Sequence, residues 1–247
     1  MLLLHAHNAS PWTGPTGNNT YLLTGRVPAL IDAGVGNEIH LRSIESALHG
    51  QPLARVLITH GHPDHIGGLG AIQQRWPSIE VFRFGNPQDT VAAGDSRLRV
   101  LHTPGHAPDH LCFFDEQTRD MYCGDLVRMG GSIVIPASKG GNLRQYLDSL
   151  EAVRLLAPAR LLPGHGPVIN DPETSIDEYV RHRAQREGEV ISALSAGLMT
   201  PDQIVSRIYG ELNPMLTAAA SDSVLAHLVK LHDEHRAFVS DDGWRLL

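Results

Sequence analysis

Four side chains able to bind a metal ion fall within six residues of this chain: His60, His62, Asp64 and His65, in the segment THGHPDHIGG. His60 and His62 flank a single glycine, so both imidazoles can face one ion. Asp64 and His65 follow where the chain turns into a helix, and they can face a second ion beside the first. Gly67 and Gly68 allow close backbone approach in the first helical turn, and a helix N-terminus favours bound hydroxide and carboxylate. Three further segments extend the set. HTPGH ends at His106, CGD ends at Asp125, and LLPGHG presents His165. Each candidate follows an apolar strand and adjoins a glycine. A lone histidine is usually structural, but three such positions behind an HxHxDH run point to a metal centre.

Neutral imidazoles and carboxylates with open positions suit Zn²⁺. Two ions about 3.5–4 Å apart can share a hydroxide, and zinc lowers the pKa of bound water toward about 7. The expectation is therefore two zinc ions per chain and a bridging hydroxide that attacks an acyl carbon or a phosphorus. Asp64 and Asp125 would hold the metals and orient the attacking proton. No separate general acid is visible.

The elements needed to position these groups are legible as patterns. Thr20–Gly25 and Pro28–Gly34 read as strands, and Glu38–Leu48 carries apolar residues at helical spacing. RVLIT, residues 55–59, reads as a short buried strand ending at His60, with a helix over Ile66–Trp76. IEVFRF, SRLRVLHT, DHLCFF and RDMYCGD form a second β-rich segment. A helix at Asn142–Leu156 and a strand at Ala159–Leu162 follow. This order predicts two sheets between helices. Beyond Pro172 the pattern changes to a long helix at Ser175–Ser195, helices at Thr200–Tyr209 and Ser221–His235, and a terminal hairpin. That is the order of a winged-helix unit, and a boundary is placed between residues 171 and 172.

Composition excludes several classes. The 20 basic and 27 acidic residues leave a net charge of −7, so a globally basic nucleic-acid binder is not indicated. Cys112 and Cys123 belong to no CxxC pair and read as buried free thiols. The N-terminal MLLLHAHNAS lacks a charged region before its apolar run, and no apolar stretch is long enough to span a bilayer, so a cytoplasmic protein without a membrane partner is expected.

The residues HTPGHAPDH, GD and LLPGHGPVI, together with the HxHxDH run, resemble the metallo-beta-lactamase superfamily and its glyoxalase II-like branch. The resemblance covers residues 1–170. With the winged helix added, the chain is similar to the beta-lactamase-like protein 2 family, whose best-described member is an endoribonuclease. The resemblance implies an αββα sandwich in which His60, His62 and His106 hold one metal and Asp64, His65 and His165 hold the other. Asp125 bridges them. It also places Asp32 behind the ligands, orienting one of them or a nearby loop.

Other residues near the motifs are read individually. His110, four residues after His106, is expected as a buried, hydrogen-bonded partner behind the ligands. His102 and His7 are expected as structural histidines. Asn18 and Asn19 could donate hydrogen bonds to a substrate, and Lys139 and Arg144 could bind its phosphate or carboxylate.

Phosphodiester hydrolysis of single-stranded RNA is the leading expectation, from the family resemblance and the winged helix, against a net charge of −7, with acyl hydrolysis the alternative. Thioester, ester or lactone hydrolysis fits the glyoxalase-like motifs, although the basic residues of a glyoxalase II C-terminal domain are not identifiable. β-Lactam hydrolysis is a side activity open to any such site. Persulfide oxidation uses fewer protein ligands, and diiron oxygen reduction places a glutamate where this chain has His62. The segment SDSVLAHLVKLHDEH, the expected recognition helix, is acidic, with Lys230 its one lysine. That is a poor surface for phosphate, so the C-terminal unit is expected to pack, gate the substrate or form a homodimer contact.

Overall fold

The computed structural model describes the backbone of all 247 residues and the side chains of all but Met215. Two five-stranded sheets form the centre. The first holds β1 (Leu2–His5), β2 (Asn19–Leu23), β3 (Ala29–Ile31), β4 (Arg55–Leu57) and β5 (Glu80–Phe82), in that spatial order. The second holds β6 (Thr90–Ala93), β7 (Ser96–His102), β8 (Leu111–Asp115), β9 (Asp120–Gly124) and β10 (Arg160–Pro163), in the order β10-β9-β8-β7-β6. β3, β4 and β5 run parallel, as do β9 and β10, so their C-terminal ends share a rim.

Three apolar clusters make four layers of these elements. Between the sheets lie Tyr21, Ile31, Leu57 and Phe82 from one and Leu98, Phe113, Tyr122 and Leu162 from the other. The outer face of the first sheet is covered by α1 (Glu38–Leu48) and α3 (Leu69–Arg75), through Leu41, Ile44, Leu48 and Ile72. The outer face of the second is covered by α4 (Leu143–Leu155) and the first half of α5 (Pro172–Leu194), through Tyr146, Leu150, Val153, Ile176 and Tyr179. The result is the expected αββα sandwich.

Three elements differ from the sequence patterns. The helix expected over Ile66–Trp76 is two helices, α2 (Pro63–Ile66) and α3, interrupted at Gly67–Gly68. Any Cβ at Gly67 would lie 2.3 Å from the Pro63 carbonyl oxygen, and one at Gly68 would lie 2.2 Å from that of Ala33. The chain there is pressed against the loop after β3, which only glycine permits. Strand β6, carried by the weak pattern TVAA, has no counterpart in the expected elements. The helix expected to open at Ser221 begins earlier, as α7 (Pro214–Asp233), so Ser221 is not a cap. Its hydroxyl donates to Asp202 at 3.1 Å.

The C-terminal unit has its own core. Val190 and Leu194 of α5 pack with Ile204 of α6 (Pro201–Tyr209), Leu228 and Leu231 of α7, and Trp244 in the hairpin of β11 (Ala237–Ser240) and β12 (Gly243–Leu246). α6 opens with a capping box of Thr200 and Gln203. α5 therefore serves two cores, its first half the sandwich and its second half the winged helix. α7 also touches the sandwich: Ala226 joins the α4–α5 cluster, and Asp222 accepts from the backbone N–H of Ser138 at 3.0 Å. Among the described residues no helix is long and apolar enough to cross a membrane.

Phe113 is fully buried between the sheets, edge-on to Phe82 at 6.1 Å. Phe113→Ala should destabilise the fold by about 3–5 kcal/mol through lost burial and a cavity. Denaturant unfolding measures this, and a loss below about 1 kcal/mol would show that the sheets do not depend on this contact.

Candidate metal centre

The strand ends converge as the motifs require. Thr59–His60 follow β4, His106 follows β7, Asp125 follows β9 and His165 follows β10. Seven side chains meet there. Donor atoms of His60, His62 and His106 lie within 4.8 Å of one another, as do those of Asp64, His65 and His165, and those of His60, His65 and Asp125. Asp125 divides its two oxygens between the groups. Oδ1 lies 3.4 Å from His65 Nε2 and 3.3 Å from His165 Nε2, while Oδ2 lies 3.6 Å from His106 Nε2.

The groups behind these side chains fix which nitrogen faces inward. Asp32 accepts from the Thr59 N–H at 2.8 Å and from the Thr59 hydroxyl at 2.9 Å. With its proton committed, the Thr59 oxygen accepts from His60 Nδ1 at 3.0 Å. His65 Nδ1 donates to Asp32 at 2.7 Å, and His106 Nδ1 donates to the Val134 carbonyl at 2.7 Å. In each of these imidazoles Nδ1 is thereby engaged, and Nε2 is the nitrogen turned to the interior. His60 Nε2 and His106 Nε2 both stand 2.9 Å from His62 Nδ1. One proton on His62 can satisfy only one of those lone pairs, whereas a cation satisfies all three nitrogens.

The second group fits a cation for a related reason. Asp125 Oδ1 is buried without a hydrogen-bond partner. An unpaired buried carboxylate oxygen is costly, and the imidazole nitrogens nearest to it are misaligned for hydrogen bonding. Burial opposes ionisation of Asp125, but His65 and His165 overcome it and hold its carboxyl well below the ordinary carboxylate range. Asp64 is likewise held ionised against burial, by His165, His65 and Asn18. Burial keeps His60 and His106 neutral. Burial works against charge on His165 too, yet Asp125 and Asp64 push it up to about 9. The carboxylates thus call for positive charge at this point, which a bound cation supplies in place of protons.

His110 is fully buried and points elsewhere. Its Nδ1 lies 2.8 Å from the Thr103 hydroxyl, and its Nε2 accepts from the Asp125 backbone N–H at 3.1 Å. Burial pushes it down to about 3, so it stays neutral and steadies the Asp125 turn. Thr59, which opens THGHPDHIGG, and Thr103, within HTPGH, stand inside the motif segments without being candidate ligands, and the Val134 carbonyl carries no sequence signal.

The substrate candidates separate. Asn18 is buried with its amide 3.1 Å from Asp64 Oδ2 and 3.3 Å from His65 Nε2, and its carbonyl accepts from Asn8 at 2.7 Å. Asn19 is a correction: both amide donors are committed, to the carbonyls of Pro163 at 3.0 Å and Gly166 at 2.7 Å. It braces the His165 loop and has no donor left for a substrate. Lys139 and Arg144 are exposed, on the loop before α4 and on its first turn. His102 is exposed, with Nε2 2.9 Å from the Pro108 carbonyl, and His7 is exposed near the N-terminus.

Known proteins place this arrangement. The model of the metallo-beta-lactamase superfamily matches residues 13–81 and 77–165. The chain belongs to the metallo-beta-lactamase superfamily. The beta-lactamase associated winged helix domain matches residues 200–244 of this superfamily member. It is 30% identical over 246 residues to the beta-lactamase-like protein 2 homolog of Caenorhabditis elegans, spanning 91% of the chain and 81% of the relative. It is also 30% identical over 237 residues to the atrochrysone carboxyl ACP thioesterase of Passalora fulva, spanning 87% of the chain and 70% of that protein. Its fold is that of a metallo-beta-lactamase family protein of Thermus thermophilus, with a TM-score of 0.83, 22% identity, and 100% and 98% of the two chains covered. Another solved structure, in a di-iron-bound form, matches with a TM-score of 0.53 and 27% identity, over 66% of this chain and 96% of that one. The fold and the metal-binding clusters together make this metallo-beta-lactamase superfamily member a metal-dependent hydrolase.

Asp32 holds His65 directly and His60 through Thr59, so Asp32→Asn should weaken metal binding about 10–100-fold. Asparagine tolerates the positive φ of 61° at this position, so the fold should survive. Titration of the metal-free protein with cobalt, read by absorption, measures the change. Unaltered affinity would remove Asp32 from the support of the ligands.

Proposed function

We propose that the chain is a dinuclear zinc hydrolase acting on a thioester or ester, with His60, His62 and His106 holding one ion, Asp64, His65 and His165 the other, and Asp125 bridging them. The observation that carries the dinuclear reading is the division of the two Asp125 oxygens between the two donor groups. The donor set is all nitrogen and oxygen, which suits zinc and also iron. Elemental analysis separates the two.

Bound there, divalent cations supply Lewis acidity and bring the pKa of water toward about 7. The chain's own groups do the rest. Asp64 is half-buried and ionised, so it can accept a hydrogen bond from an attacking water and orient it. Asp125 holds both halves of the site in register. Asn18, fixed by Asn8, directs its amide at Asp64 and keeps that carboxylate from turning away.

Three observations support an acyl substrate over RNA. A relative that this chain matches over 70% of its length is named for thioester hydrolysis. A polyanion, in contrast, needs several cations along its path, and this chain has a net charge of −7. The helix expected to read nucleic acid is committed to the sandwich through Ala226 and Asp222. The C-terminal unit is accordingly read as a packing and substrate-framing module.

Zinc-loaded protein assayed in parallel on S-acyl thioesters, simple esters, lactones and single-stranded RNA should hydrolyse thioesters best, with kcat/KM at least about 10⁴ M⁻¹s⁻¹. His62→Ala serves as the background. RNA cleavage that exceeds acyl hydrolysis and disappears in His62→Ala would reverse the assignment.

A further inference from the structure

A cleft of about 550 Å³ opens between α5 and the loop that follows Asp125. That loop touches the metal-ligand segments at two points. It departs three residues after Asp125, and Val134 at its far end accepts from His106 Nδ1. Midway, a Cβ at Gly166, next to His165, would lie 3.5 Å from the Met129 carbonyl oxygen. One wall of the cleft is thus a loop that also touches the segments carrying His106 and His165.

Its walls are fixed relative to each other. The Tyr179 hydroxyl accepts from the Arg128 N–H at 3.0 Å and donates to the Arg128 carbonyl at 2.9 Å, tying α5 to the loop. Ser175, Glu178, Tyr179 and His182 lie on one face of α5, with Arg181 at its edge. Facing them are Arg128, half-exposed Met129 and Ser132. Arg128 donates from Nη1 to the Trp12 carbonyl at 2.8 Å, and its Nε is buried without a partner. Among the described residues no carboxylate pairs with Arg128 or Arg181. His182 is held neutral by burial and by Arg183 and Arg186. The lining thus has two unpaired guanidiniums against the one carboxylate of Glu178, in a protein of net charge −7. Guanidinium groups at a preformed, polar-walled cleft suit the planar or tetrahedral oxygens of an anion.

We propose that this cleft is a subsite for an anionic group carried by the substrate, a phosphate on the thiol half or a carboxylate on the acyl half, held by Arg128 and Arg181. The inference rests on the thioester reading of the metal centre. Met129 would cover the uncharged stem between the anion and the scissile carbonyl.

The test compares S-acetyl-pantetheine, S-acetyl-4′-phosphopantetheine and S-succinyl-pantetheine on the zinc-loaded full chain. One charged thioester should have a KM about tenfold below that of the neutral one, and its identity tells which half bears the anion. Arg181→Glu, on an exposed helical position, should abolish that advantage. Its kcat and KM for the neutral thioester should stay within about twofold of wild type. Arg128→Lys, which keeps the charge but not the fork, should reduce the advantage in part. Equal KM values for all three thioesters, or an advantage that survives Arg181→Glu, would overturn the subsite. If no thioester is turned over, the proposed reaction fails and calorimetry decides the subsite separately. Binding of 4′-phosphopantetheine or succinate weakened about tenfold by Arg181→Glu upholds it, and unchanged binding of both overturns it.

Discussion

A carboxylate taken out of water stays ionised only in the company of positive charge. Asp125 is such a group, buried at the junction of the two sheets with one oxygen unpartnered, among imidazoles of which burial keeps His60 and His106 neutral. Much of the surrounding architecture follows from this requirement. Strand ends deliver nitrogen donors to both sides of Asp125, and hydrogen bonds behind His60, His65 and His106 turn their Nε2 atoms inward. His110 keeps the Asp125 backbone in place without contributing charge of its own. A cation is what completes the balance, so the fold amounts to a scaffold for metal-dependent hydrolysis.

The support behind the ligands is as specific as the ligands. Asp32 sits at the end of β3 with a positive φ of 61°, an uncommon conformation for a residue with a side chain. In return its two oxygens reach Thr59 and His65 from one position. The Gly67–Gly68 break brings α2 and α3 against the same β3 loop, where the Ala33 N–H donates to the His65 carbonyl at 2.7 Å and the Gly68 N–H to the Gly34 carbonyl at 2.8 Å. From β2 of the same sheet, Asn19 and Tyr21 both donate to the Pro163 carbonyl of β10, at 3.0 and 2.8 Å, and so lock the His165 loop of the second sheet to this layer. The centre is therefore held by contacts from both sheets.

Much of this was legible in the sequence, for physical reasons that differ by element. The HxHxDH run and the three glycine-flanked ligands announce themselves because metal ligands must be polar where strands are otherwise apolar. Helix α1 coincides with its apolar spacing, Glu38–Leu48. The limits are equally instructive. The glycine pair looked compatible with a continuous helix because the acceptor that diverts the Gly68 N–H from the helical ladder, the Gly34 carbonyl at 2.8 Å, is brought close by tertiary packing. Ser221 resembled a helix cap, but propensity yields to the packing of α7 on both cores. Asn19 looked like a free donor because nothing in TGNNTYL reveals that the His165 loop folds over it. The Arg128–Arg181 cleft was not visible either, since its walls lie about fifty residues apart in sequence.

The division of Asp125 between two donor groups is tested most directly by elemental analysis of gently purified wild-type protein and Asp125→Ala. The wild type should approach two metal equivalents per chain, and the variant should lose occupancy at both positions, because both groups share the missing carboxylate. A folded Asp125→Ala protein that keeps one ion at full occupancy, or a fully active wild type with a single ion, would contradict the bridged two-metal centre.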